Sequence, residues 1–334
     1  MFKAESADQV IGTVMDEIAA SAASVKGCAD AARTFAANGN RGELIVGGVE
    51  CVRQPRTQEA GAHTMADDAR GKDSWSAGDA YEPYVGRWSR VVAAEFVDWI
   101  AALPNSRWLD LGCGTGALSE VILDRTSPAQ VIGVDPAEAF IAFARSRLAA
   151  DSRITFRVAD ARALPVEDGA FDAAVSGLVL NFIPDPAQAL AEMGRAVRPG
   201  GIVAAYVWDY AEEMQLMRRF WDAAVALDPA AGELDEGRRF PMCQPDLLAR
   251  LFAEAGLTEI DDRSIDIPTV FRNFDDYWSP FLGGQGPAPG YCVSLSEAKR
   301  EALRERLRAE LPTSADGAIR LTARAFAVKG LRPQ

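Results

Sequence analysis

WLDLGCGTG, residues 108–116, is the stretch on which the reading of this chain turns. The short apolar run Arg107 to Leu111 reads as a strand and leads directly into Gly112-Cys113-Gly114-Thr115-Gly116; Gly116 to Asp124 reads as a helix. Glycines in that position let the backbone approach a ligand closely at a helix N-terminus. The triplet alone is ambiguous, because with Ala117 it also satisfies the G-x-G-x-x-G/A pattern of dinucleotide sites. The surrounding acids discriminate. Asp110 puts a carboxylate at the end of the first strand, where it suits a cationic amino-acid group or a water network better than a pyrophosphate, which it would repel. Asp135 closes the next strand (VIGVDP), where a carboxylate can take both hydroxyls of a ribose, and Asp160 closes the third (FRVADA), near where an adenine amino group would lie. Three acids at the carboxyl ends of three successive strands face one crevice.

Outward from this block, strands alternate with helices. Gln130 to Val134, Arg153 to Val158, Phe171 to Ser176 and Ile202 to Val207 read as strands. A helix opens at Pro136 and ends near Ala150, another spans Pro186 to Val197, and RPGG (Arg198 to Gly201) stops it. This alternation predicts βαβ units and a mostly parallel sheet. Glu259 to Ile267 and Ala318 to Val328 alternate apolar and polar residues as edge strands do, while Asn273 to Leu282 and Leu295 to Leu311 read as helical. Trp99 and Trp221 fall on apolar helical stripes and belong in a core.

Residues 1–74 differ. Val10, Val14 and Ile18 form a weak helical stripe, Glu43 to Val52 reads as a short strand flanked by glycines, and Arg53 to Ser74 is polar and linker-like. Two readings fit this extension: a small accessory element, or a poorly ordered leader with Met65 as the true start. The scarcity of large apolar residues favours the leader.

The 334 residues carry 35 Lys+Arg against 48 Asp+Glu, a net charge of -13, which argues against non-specific grip on nucleic acid. Five cysteines (Cys28, Cys51, Cys113, Cys243, Cys292) are scattered without a CxxC pair, so neither a disulfide scaffold nor a cysteine zinc cluster is expected. The one histidine, His63, lies outside the strand–helix region, which excludes multi-histidine metal sites and Ser-His-Asp chemistry there. No run reaches the ~20 apolar residues needed to cross a bilayer, and no signal-peptide pattern is present, so the expected location is the cytoplasm.

The set LDLGCGTG, GVDP, VADARALPV, FDAAVSGLVLNFIPDP and RAVRPGG resembles the class I S-adenosylmethionine-dependent methyltransferases, in particular the small-molecule group with a methyltransferase-11-type domain. The resemblance covers about Arg107 to Val207; YVGRWSR (Tyr84 to Arg90) and Phe274 to Tyr291 look like the lead-in and tail of one branch. It implies a Rossmann-like, doubly wound α/β domain over residues 75–334, with a seven-stranded sheet, mostly parallel with an antiparallel last strand. It also implies S-adenosyl-L-methionine as cofactor. Asp110, Gly112 and Gly114 would form the methionine-side loop, Asp135 would hold the ribose beside Pro136, and Asp160 and Ala161 would contact the adenine. Gly177 and Leu178 would border the sulfonium, with Arg87 and Trp88 as lids, Arg87 on the cofactor carboxylate and Trp88 over the sulfur.

The implied reaction is methyl transfer to a small organic acceptor, achieved mainly by proximity and alignment, with neither nucleic acid nor membrane as partner and no metal. Where many relatives carry a histidine after the fourth strand, this chain reads Leu180-Asn181-Phe182. Asp209 and Tyr210 remain as weak catalytic candidates; a helix N-cap and a packing aromatic describe them better. The N-terminal helices and an insertion over about 210–244 would build the acceptor wall, with Tyr210, Trp221, Phe240, Tyr277 and Trp278 setting specificity. Two rivals stand beside this reading: a non-catalytic S-adenosylmethionine-binding partner protein, and an NAD(P)-linked oxidoreductase on a Rossmann fold.

Overall fold

The strand that enters the glycine loop, β1 (Arg107–Leu111), is buried from Trp108 onward, as a central parallel strand covered on both faces must be. The computed structural model describes residues 45–46, 49–50 and 82–334 apart from Gln285. It divides into two units, 1–62 and 63–334. In the first, Ile45–Val46 pairs antiparallel with Val49–Glu50, two short strands in place of the single one expected over Glu43 to Val52. The other expectations for residues 1–74, including the Val10–Ile18 stripe, His63 and the Met65 start, lie outside the described residues.

In the second unit, β1 is followed by β2 (Gln130–Asp135), β3 (Ile154–Val158), β4 (Phe171–Gly177), β5 (Val197–Trp208), β6 (Thr258–Phe271) and β7 (Ile319–Leu331). They form one seven-stranded sheet in the order β3-β2-β1-β4-β5-β7-β6. The first five are parallel, and β7 runs antiparallel to both β5 and β6. The α/β, mostly parallel sheet is therefore the expected one. One expectation is corrected: Ala318 to Val328 is not an edge. β7 is inserted between β5 and β6, and Phe326, Ala327 and Val328 are all buried. The edges are β3 and β6, and β6 exposes Glu259, Asp261, Asp262, Arg263 and Asp266. Charges of this kind guard an open strand against pairing with another chain.

The helices are α1 (Arg87–Ile100), α2 (Ala117–Thr126), α3 (Glu138–Arg147), α4 (Pro186–Ala196), α5 (Gln215–Leu227), α6 (Glu236–Arg239), α7 (Pro245–Glu254), α8 (Phe274–Trp278), α9 (Pro287–Ser294) and α10 (Glu297–Glu310). A single π-turn, Glu82–Gly86, leads into α1. The helix expected over Asn273 to Leu282 is broken into α8 and a 3₁₀ turn, Ser279–Gly283, at Pro280, which has no N–H to continue an α-helical ladder. α10 begins at Glu297, where the Ser296 hydroxyl accepts from the Lys299 N–H. α1 packs its apolar face on the sheet, with Phe96 against Tyr206 of β5 at 4.4 Å between ring centroids. Farther along the chain, Phe220 of α5 stacks on Phe281 at 4.4 Å, and Phe271, Tyr277 and Trp278 complete an aromatic core. No described helix is long and apolar enough to cross a membrane.

The chain leaves β1 toward β2 on one side and reaches β4 on the other. That switch point opens a crevice at the carboxyl ends of the strands, the place where open α/β sheets bind ligands.

Candidate active site

The glycine loop is shaped by backbone bonds onto the end of β2. The N–H groups of Gly112 and Cys113 both donate to the Val134 carbonyl, at 2.8 and 3.0 Å. Gly112 has φ +72°, and a Cβ there would lie 2.2 Å from Val179 Cγ1, so both conformation and space require glycine. Gly114 has φ +52° with nothing within 4 Å of a would-be Cβ: its open side is the crevice itself. Asp135 fastens the loop, accepting from the Gly114 N–H at 3.0 Å and from the Ala137 N–H at 2.8 Å. Burial raises the pKa of Asp135, against the pull of those two N–H groups.

Asp110 lies behind the loop, 1% exposed. Its Oδ2 accepts from the Ser119 hydroxyl at 2.6 Å, while Oδ1 is buried without a partner among the described residues. Burial pushes its pKa up to about 7, opposed by Ser119 and reinforced by the nearby Asp135 charge. Asp160 differs. It is exposed, it is held by the Arg162 backbone N–H at 2.9 Å and by the Arg162 guanidinium at 3.0 and 2.7 Å, and these bonds bring its pKa down to about 2.

These groups line one cavity of about 490 Å³, in the range of small-molecule sites. Asp110, Gly112, Gly114, Asp135, Pro136, Asp160, Ala161, Gly177 and Leu178 all border it. Leu178 adopts a left-handed φ of +62°, fixed by its N–H donating to the Tyr206 carbonyl at 2.7 Å.

Arg87 and Trp88 do not border the crevice. Arg87 pairs with Asp276 at 3.2 Å and lies over the rings of Trp88 and Phe271, and Trp88 packs edge-on against Phe271. The lead-in segment instead sends Val85 and Ser89 to the crevice wall. Of the five expected specificity residues only Tyr210 borders the cavity. Phe240 stands behind it, Trp221 donates its indole N–H to Glu236, Tyr277 donates its hydroxyl to the Leu216 carbonyl at 3.0 Å, and Trp278 packs on Phe274 and Phe281. Asp209 is buried, accepts from the Glu212 N–H at 3.1 Å and takes the Met214 N–H on its carbonyl, which makes it a turn cap; it does not line the cavity. Asn181 is buried behind the wall with neither amide atom partnered among the described residues.

Sequence reasoning missed Phe182, Ile183, Trp208 and Met217, all of which border the cavity. A signal existed for one of them: Tyr206 and Trp208 alternate at the end of the fifth strand, a period that puts both on one face, and Tyr210 follows just past it.

A parallel sheet, a glycine loop and acids ending its first three strands define a nucleotide-binding α/β enzyme. The family described as a methyltransferase domain matches residues 109–205. A demethylmenaquinone methyltransferase of Desulfitobacterium hafniense is 31% identical over 179 residues, 49% of this chain and 70% of that protein. A trans-aconitate 2-methyltransferase of Variovorax paradoxus is 35% identical over 112 residues, 33% of this chain and 42% of that protein. A transposon-encoded 37.1 kDa protein of Streptomyces fradiae is 36% identical over 124 residues, 36% of each chain. The chain thus spans between 36% and 70% of the length of these relatives. It belongs to the class I S-adenosylmethionine-dependent methyltransferases. That membership removes the dinucleotide reading of the glycine loop.

Proposed function

We propose that this chain transfers a methyl group from S-adenosylmethionine to a small organic acceptor held in the same crevice. One observation carries the reading: Asp110 offers a buried, unpartnered carboxylate oxygen beside a glycine loop whose open side faces the cavity. A buried acceptor of that kind is costly unless a ligand donor completes it. The residues present suit the cofactor. Asp110 and the Gly112–Gly114 backbone would take its amino-acid end, Asp135 the ribose hydroxyls, and Asp160 with the Ala161 N–H the adenine. The relatives named for a quinone and for aconitate support an acceptor of small-molecule size.

When bound, the cofactor supplies a methyl group already activated on a sulfonium. The chain's own contribution is to bind, orient and keep water out. Alignment of this kind is worth ~7–11 kcal/mol in well-ordered systems. Asp209 is tied into its turn and Tyr210 is a wall residue, so neither is placed as an indispensable base. The scattered cysteines support the cytoplasm as the place of reaction.

Calorimetry with S-adenosylhomocysteine tests the reading. Asp135→Ala should weaken binding by roughly 1.5–3 kcal/mol, the scale for hydrogen bonds to a charged group. Unchanged affinity in a folded variant would move the ribose elsewhere and remove the assignment.

A further inference from the structure

Resting on the reading that the glycine-loop end takes the cofactor, we propose that the far end of the crevice selects an uncharged, flat aromatic acceptor and rejects carboxylated ones. The first ground is shape. Tyr206, Trp208 and Tyr210 present successive rings from one strand end, each no more than 3% exposed, yet each bordering the cavity. Phe182 joins them from the turn after β4. Phe240 braces two of these rings from behind, edge-on to Phe182 at 5.0 Å and tilted on Tyr210 at 5.8 Å. Rings fixed in this way offer a preformed surface for stacking and edge-to-face contact at little entropic cost. Met217 adds a thioether that adapts to an aromatic edge.

The second ground is charge. Among the described residues the carboxyl and cationic side chains bordering the cavity are Asp110, Asp135, Asp160 and Arg162, three acids against one cation. The Arg162 guanidinium is already matched to Asp160 through two hydrogen bonds, at 3.0 and 2.7 Å. A carboxylated acceptor would be desolvated with no cation to meet it. A cationic amine finds the converse lacking, because the Asp110 and Asp135 carboxylates belong to the glycine-loop end, not to the aromatic wall. A neutral ring satisfies the wall without an unpaired charge.

The experiment uses the full chain saturated with S-adenosylhomocysteine, titrated near neutral pH with 2-naphthol, 2-naphthoate and 2-naphthylmethylamine. The expected result is that 2-naphthol binds at least about tenfold more tightly than either charged analogue, a difference of ~1.4 kcal/mol or more. Phe182→Ala, or Phe182→Leu should the first fold poorly, should weaken 2-naphthol at least fivefold and leave S-adenosylhomocysteine affinity unchanged. Equal or tighter binding of a charged analogue, no binding of 2-naphthol, or naphthol affinity indifferent to Phe182 would overturn the inference. Failure to bind S-adenosylhomocysteine at all would bring down the cofactor reading, and this one with it. Cofactor binding without a preference for the neutral ring would refute this inference alone.

Discussion

Glu82 Oε1 accepts a hydrogen bond from the Thr115 hydroxyl at 2.8 Å, which bolts the turn leading into α1 to the glycine loop. Arg90 then donates to Glu82 at 2.6 Å and to Glu120 of α2 at 2.7 Å, and Arg147 of α3 donates to the same Glu120. The segment that contributes Val85 and Ser89 to the crevice is thereby held by the loop that shapes its other end. Thr115→Val removes the bond at constant volume. It should lower the melting temperature by only ~2–4 °C, the effect of about 1 kcal/mol in a chain of this size. S-adenosylhomocysteine should dissociate several-fold more readily. A calorimetric affinity equal to wild type would reduce the bond to scaffolding.

Two glycines of one loop should respond to alanine in opposite ways. Gly112→Ala drives a Cβ into Val179 at a left-handed φ, so the fold should lose ~2–4 kcal/mol, read as a lower melting temperature. Gly114→Ala meets no protein atom within 4 Å. It should cost only ~1 kcal/mol of stability through its backbone conformation, but it should weaken the cofactor at least tenfold, because the new methyl occupies the ligand's space. A Gly114→Ala variant that binds normally would show that the ligand does not approach this face of the loop.

Cofactor affinity should depend on pH through Asp110. Its pKa of about 7 leaves the carboxyl largely neutral at lower pH and ionised above. A carboxylate that meets a cationic amino group binds it better when ionised, so affinity should rise several-fold as the pH climbs through 7. Asp110→Asn should flatten that profile and hold it at the weaker limit. A wild-type profile that falls over the same window would contradict the assignment.

Glu236 gives a separate, purely structural test. It is 1% exposed, one carboxyl oxygen takes the Trp221 indole N–H, and the other has no partner among the described residues. Burial raises its pKa to about 8. Below the ordinary glutamate value both folded and unfolded chains hold the proton. Between that value and 8 the unfolded chain releases it while the folded chain keeps it, so folding stability falls as pH rises through this window. Glu236→Gln retains an acceptor for Trp221 and removes the titration. Its melting temperature should exceed that of wild type by ~3–8 °C near pH 8 and converge with it near pH 4. Parallel melting curves across the range would refute the buried, protonated state.

The crevice was legible because its groups sit at positions that secondary structure dictates. Gly112, Asp135 and Asp160 each end or follow a strand, and the sheet carries strand ends to one side whatever packs around them. The aromatic residues were not legible for the opposite reason. Trp221, Tyr277 and Trp278 on helices, and Phe240 just past one, satisfy a core stripe as readily as a pocket, and only long-range packing decides between them. Arg87 and Trp88 turned away from the cavity because Asp276 and Phe271, nearly two hundred residues onward, supply their partners. Strand order has the same character: alternation along Ala318 to Val328 fixes the period of the strand but not which neighbours it acquires.

That strand order governs how the molecule is made. While the ribosome is still translating the segment after β6, the outer side of β5 lies open and β6 has no neighbour to pair with. Both needs are met together when residues 319–331 emerge and slide between them. The nascent protein therefore passes through an interval in which two unsaturated hydrogen-bonding edges coexist. The run of Glu259, Asp261, Asp262 and Arg263 on β6 keeps the waiting strand hydrated through that interval. Sheet closure therefore requires residues 319–331, and chains truncated before residue 319 should be degraded by protease across β6 while the released full chain resists it.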